Sequence, residues 1–167
     1  MVTWILILRV IHILAGVIWV GGTLIMTFVI APAAGSTGEA GQKFLDHVMN
    51  KMKFGQRMAA AAGLTILAGF ALFWIDSNGF TSAWMSSGAG RNFGIGAGFA
   101  IVGFVFGVLV GIKGRGLAKL GAESQGKPST EQGAQMQTLA KQLKTFSISA
   151  SVFLIISVFF MSIARFS

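Results

Sequence analysis

Four apolar stretches, at residues 4–30, 58–75, 93–112 and 146–164, are each long enough as helices to cross a hydrocarbon core of ~30 Å at about 1.5 Å per residue. Runs of this length with so few charges cannot be kept in water. A chain that is 54% hydrophobic and 11% charged, with a mean hydropathy of +0.75, lies outside the range of soluble domains of its size. The expected fold is all-α, an integral membrane four-helix bundle forming a single domain over residues 1–167, with the lipid bilayer as its main partner.

Sidedness follows from the basic residues. The connection 31–57 carries Lys43, Lys51, Lys53 and Arg57, and the connection 113–145 carries Lys113, Arg115, Lys119, Lys127, Lys141 and Lys144. The connection between helices 2 and 3 carries only Arg91. Positively charged loops stay in the cytoplasm, so both termini are expected outside. Trp4, Trp74 and Trp84 then fall together at the outer interface, where an aromatic belt belongs. The formal charge of +8 is thereby a topology signal, and no nucleic-acid partner is expected. No basic region precedes the first apolar run, which contains Arg9 and His12, so it reads as a span and not as a cleaved signal. The absence of cysteine excludes disulfides, thiolate metal sites, covalent c-type haem attachment and cysteine nucleophiles.

Both cytoplasmic connections carry helix-start signals. Ser36 precedes Glu39 by three residues and Ser129 precedes Gln132 by three, each a candidate capping box. Beyond them Phe44, Leu45, Val48, Met49 and Met52 form one apolar stripe, and Met136, Leu139, Ala140, Leu143 and Phe146 another. Helices 2 and 4 are therefore expected to extend into the cytoplasm, packing on each other or on lipid headgroups. Helix 3 carries glycines at intervals of four, Gly90, Gly94 and Gly98, then Gly103, Gly107 and Gly111. Such rows make flat faces for a neighbouring helix, and Gly94, Gly98, Gly103, Gly107 and Gly111 are the expected packing positions.

Helix 1 holds the only ionisable groups well inside a span, Arg9 and His12. A charge there costs at least a few kcal/mol unless it is partnered. At 100° per residue Arg9, His12, Gly16, Trp19, Thr23 and Met26 share a sector ~100° wide, which should face the bundle interior. The small Gly16 and the large Trp19, on the same side as His12, would suit a flat macrocycle held by the imidazole. A neutral histidine bonded to a neighbouring helix is the competing reading. His47 lies ~28 Å to the inner side of the middle of helix 2, too deep to join His12 in ligating one haem. Met161 shares the depth of His12, so His/Met ligation of haem iron or a soft Cu(I) site at His12 and Met161 is geometrically open. Asp76 lies near the level of Arg9 and Arg165 and can pair with either. No Ser/His/Asp set, phosphate-binding loop, zinc spacing or intramembrane carboxylate pair is present, so common hydrolase and nucleotide chemistry lacks its residues.

The segment Arg9-Val10-Ile11-His12-Ile13-Leu14-Ala15-Gly16-Val17-Ile18-Trp19-Val20-Gly21-Gly22 resembles the first helix of the copper resistance protein D family. It is also similar to that of the bacterial membrane protoporphyrinogen oxidases, in which a histidine seven residues before a tryptophan opens a four-helix unit. Residues 44–74, a basic amphipathic lead-in followed by a glycine-containing apolar helix, are similar to their second helix. The resemblance implies a haem- or copper-associated unit of a bacterial plasma membrane with His12 at the ligand position.

Three functions stand at this point. The first is haem b or metal binding through His12, with Met161, Arg9, Gly16 and Trp19 around it, in electron transfer or haem handling. The second is a cofactor-free accessory subunit of a larger respiratory or photosynthetic complex, or a homo-oligomer, packed through its glycine face. The third is copper or small-solute transport.

Overall fold

The computed structural model describes residues 2–124 and 127–167. Helices account for all the regular structure among them, and four are long and apolar enough to cross a membrane: Val2–Ser36, Phe54–Asp76, Gly88–Glu123 and Thr130–Phe166. Only 11–22% of the residues in their most apolar windows are buried within the protein. Leu14, Leu67, Ile101 and Phe159 are among the many large apolar side chains left on the outside. Water would not tolerate that surface, and acyl chains cover it at no cost. The protein is a four-helix membrane protein.

Helix 1 begins as α1 (Val2–Ile25), widens into a π turn over Met26–Ile30, and continues as α2 (Ala31–Ser36). Its span was expected to close before Pro32. Instead the π turn, in which the Ala31 amide bonds to the Met26 carbonyl, comes just ahead of the proline. Pro32 lacks an N–H and its ring crowds the carbonyl four residues earlier, so one wide turn takes up the missing bond without ending the helix.

The first cytoplasmic connection differs from expectation in a second way. Ser36 donates from its hydroxyl to the Ala33 carbonyl at 2.8 Å, and Glu39 pairs with Lys43 at 2.8 Å, so no capping box forms there. Gly38, at φ +60°, reverses the chain, and α3 (Gly38–Asp46) follows with a π turn over His47–Lys51. Helix 2, α4 (Phe54–Asp76), starts only after Lys53 adopts a left-handed conformation. The stripe beginning at Phe44 thus belongs to a separate helix and not to an unbroken extension of helix 2.

At the opposite end Ser77, fully buried, caps the turn by accepting from the Phe80 amide at 2.8 Å. Asn78, Gly79 and Phe80 all have positive φ. Phe80 is held there by edge-on contacts with Phe70 and Trp74, at centroid separations of 5.9 and 5.0 Å. A short helix, α5 (Ser82–Met85), leads to α6 (Gly88–Glu123). This aromatic end is called the outer end below, by the charge rule.

Helix 3 (α6) runs well past residue 112 and shares the cytoplasmic extension with helix 4, α7 (Thr130–Ile163). Below the span Gly114 and Gly116 lie against Leu143 and Leu139, which explains why both helices persist there. The capping box at Ser129 and Gln132 forms as expected, with both of its hydrogen bonds in place. The bundle is two hairpins, α1 with α4 and α6 with α7, joined at a core of Trp19, Ala61, Ala62 and Leu154 flanked by Val20, Ile66 and Phe104.

Candidate functional site

The α1–α4 interface is a run of small residues meeting larger ones in antiparallel register. Gly22 faces Met58 and Phe54, Gly16 faces Thr65, and Gly69 faces His12. Steps of six and four residues along α1 meet steps of seven and four back along α4, the spacing that keeps one stripe of each helix in contact. Trp19, 5% exposed, fills the middle of this seam and meets Phe104 of helix 3 edge-on at 6.3 Å.

His12 sits two turns outward of Trp19, half-buried. Its Nδ1 is 2.8 Å from the backbone carbonyl of Thr65. A carbonyl only accepts, so Nδ1 carries the proton and donates. In the neutral ring this leaves the lone pair on Nε2 uncommitted. The Thr65 hydroxyl donates to the Ala61 carbonyl at 2.8 Å and does not compete. The approach exists because residue 69 is glycine: a Cβ there would lie 2.7 Å from the His12 Cε1.

Gly69 escaped the sequence reading, although a glycine four residues after a threonine on an apolar helix was its visible signal. Gly16 faces helix 2 as well. The Thr65 methyl lies 3.6 Å from where a Cβ would stand, an ordinary packing contact between helices 1 and 2.

Met161 sits on helix 4 seven residues outward of Leu154, as His12 sits seven residues outward of Trp19. Seven residues are about 20° short of two full turns. Both side chains therefore lie at about one depth, ~10 Å outward of the shared core, but in different seams, His12 against helix 2 and Met161 against helix 3. The thioether end of Met161 packs on Gly96 of helix 3, with Cε 3.2 Å from a Cβ built there. On the same glycine, the buried Ser157 hydroxyl donates to the Gly96 carbonyl at 2.7 Å.

Gly96 and Gly103, rather than either ladder of four, form the tight row of helix 3. A Cβ at Gly103 would meet Leu154 at 3.0 Å, whereas Gly98 and Gly107 have nothing within 4 Å, Gly94 only the Phe73 ring edge at 4.0 Å, and Gly111 only Arg115 of its own helix. The seven-residue spacing is that of a left-handed pair, in which contacts recur every two turns. Ladders of four serve right-handed crossings, and helices 3 and 4 do not use one.

One turn outward of His12, the exposed Arg9 guanidinium reaches Asp76 at the end of helix 2 at 3.5 Å. His47 lies exposed on the π turn beyond α3, in a shallow surface depression with Glu39, Lys43, Asp46 and Lys51, well separated from His12. Among the described residues no cluster of three or more His, Cys, Asp or Glu side chains forms a ready metal cage. Comparison of the chain with models of known protein families, with curated proteins and with solved structures finds no match.

Proposed function

We propose that the protein binds haem b or a soft metal ion at His12 in a bacterial plasma membrane and serves in electron transfer or in haem or metal handling. The observation carrying this reading is the hydrogen bond from the His12 Nδ1–H to the Thr65 carbonyl. Ligating histidines characteristically spend one ring N–H on a backbone carbonyl or carboxylate, which fixes the tautomer and raises the basicity of the other nitrogen. The free donor here is Nε2, and the Met161 thioether shares its depth. An imidazole with a thioether suits both haem iron and Cu(I).

A bound haem iron or copper ion would supply one-electron chemistry. The chain's own groups have separate tasks. Thr65 and Gly69 hold the imidazole in one orientation. Trp19 and Phe104 close the inner side of the site with apolar rings, keeping water from reaching it through the core. Arg9, one turn outward, offers a positive charge to anionic groups of a ligand.

A second reading is favoured by a specific feature: helix 2 packs on this face of helix 1, with Thr65 against Gly16 and its carbonyl taking the only N–H of the neutral His12 ring. In that reading the protein is a cofactor-free accessory subunit, and the open faces at Gly98 and Gly107 meet a neighbouring membrane helix. Reduced-minus-oxidised absorbance and copper analysis of wild type and His12→Ala, purified in mild detergent from haem-supplied cells, separate the two. A b-type Soret and α band, or bound copper, lost in the variant supports the first. A folded wild type with neither fails it and leaves the accessory subunit.

A further inference from the structure

The helical segment Gly38–Lys51, between Gly38 and the left-handed Lys53, is assigned no part in either reading above. We infer that its second half is a docking surface for an anionic lipid leaflet, seating Met49 and Met52 among the headgroups and holding them there with Lys43, Lys51, Lys53 and Arg57.

The apolar stripe on this segment is only half used by the protein itself. Val48 is buried at 8% exposure, but Phe44, Met49 and Met52 remain 52%, 41% and 47% exposed. Of these, only the Met49 methyl end has a glycine neighbour among the described residues, Gly55, and the rest of that surface is open. The opposite face carries Gln42, Asp46 and Asn50, all exposed, with Asn50 donating to Asp46 at 2.6 Å. One face is thus built for water and one flank is not.

Depth decides what covers that flank. Helix 2 begins at Phe54 and its apolar span at Met58, so the turn at Lys53 lies five residues inward of the span. That turn is ~8 Å from the span, about the thickness of one headgroup layer, and a segment turned aside there keeps Met49 and Met52 near that level. Lys53 is left-handed at φ 53°, so the segment turns at that residue and does not continue the axis of helix 2. The exposed apolar surface of helix 2, including Leu64, Leu67 and Phe70, continues the same lipid contact outward.

Charge then selects the lipid. Lys43, Lys51, Lys53 and Arg57 lie on or next to the segment: Lys51 and Lys53 bracket Met52 in the chain, and Lys43 and Lys51 also line the shallow depression with Glu39, Gln42, Asp46 and His47. Among these four only Lys43 has an anionic partner in the described structure, Glu39. Cationic side chains with apolar neighbours at this depth fit phosphate-bearing headgroups, and the attraction rises with the negative charge of the leaflet.

The chain has no cysteine, so single labels can be placed without background. Met49→Cys, Met52→Cys, Gln42→Cys and Asn50→Cys, each made in the full chain, are labelled with an environment-sensitive fluorophore. They are reconstituted in vesicles of phosphatidylcholine, alone or mixed with phosphatidylglycerol, with helicity checked by circular dichroism. In mixed vesicles the probes at 49 and 52 should shift blue and be quenched by lipid-borne quenchers, while those at 42 and 50 stay accessible to iodide. Adding Lys43→Gln, Lys51→Gln and Lys53→Gln should lower the seated fraction, about fivefold in equilibrium constant for each lysine, and high salt should act in the same direction. Iodide access at 49 and 52 in both vesicle types would overturn the inference. So would shielding that is equal in neutral and charged vesicles and indifferent to the lysines, which would mark a protein neighbour instead.

Discussion

The imidazole of His12 rests directly on Gly69 of helix 2, with its Nδ1 only 2.9 Å from where a Cβ would stand. Gly69→Ala therefore has to push the ring away and break its bond to Thr65. An alanine in a helix gains up to ~1 kcal/mol over glycine, but the overpacking costs ~1–3 kcal/mol and the lost hydrogen bond about 1. The net expectation is a loss of ~1–3 kcal/mol in unfolding experiments in mixed micelles. Gly63→Ala, on the same helix with nothing within 4 Å, should be neutral or slightly stabilising. Equal stability of the two variants would mean that His12 is not seated on Gly69.

The glycines of helix 3 divide in the same way. Gly103→Ala confronts Leu154 at 3.0 Å in a position where that side chain is 1% exposed, and should cost ~1–2 kcal/mol. Gly98→Ala and Gly107→Ala meet no atom within 4 Å and should gain a few tenths to ~1 kcal/mol from helix propensity. Thermal unfolding of the three variants in one detergent ranks them. A destabilised Gly107→Ala would reveal a helix partner on that face, the arrangement the accessory-subunit reading needs.

Much of this architecture was legible because span length and hydropathy are one-dimensional properties of the chain. The four spans and the Ser129 cap depend on a few adjacent residues, and they appear as expected. What was not legible depends on pairing between helices. Gly16 and Gly69 look alike in sequence, yet one lies against Thr65 and the other against His12, because the α1–α4 register sets the partner. The ladders of four on helix 3 were visible and the Gly96–Gly103 row was not, since crossing handedness decides which spacing packs. The break at Lys53 was hidden for a different reason: no glycine, proline or asparagine marks that left-handed position.

Arg9 and Asp76 form the one interhelical ion pair among the described residues, at 3.5 Å with the arginine side chain 53% exposed. Partial exposure and a single long contact keep its worth small, within ~0–1 kcal/mol. Asp76→Asn should leave unfolding within that range of wild type, and the difference should shrink as salt rises. A loss of several kcal/mol that survives high salt would require a desolvated network around Arg9, and would move that residue from the rim of the site into its interior.

Lys53 holds φ 53° and ψ 38° at the entrance of helix 2, a conformation that costs an L residue about 1–2 kcal/mol and a glycine almost nothing. The loss is partly offset because glycine also gains freedom in the unfolded chain, by ~0.4–1 kcal/mol. Lys53→Gly should therefore exceed Lys53→Ala in stability by ~0.5–1 kcal/mol. Both variants remove the same cation, so any dependence on lipid charge cancels in the comparison and the difference isolates the backbone. Measured by denaturant unfolding in neutral bicelles, a glycine variant no more stable than the alanine one would mean that residue 53 is not held left-handed. The preceding segment would then continue helix 2 into the cytoplasm, and Met49 and Met52 would lie at successive levels of one straight helix instead of on a segment turned at Lys53.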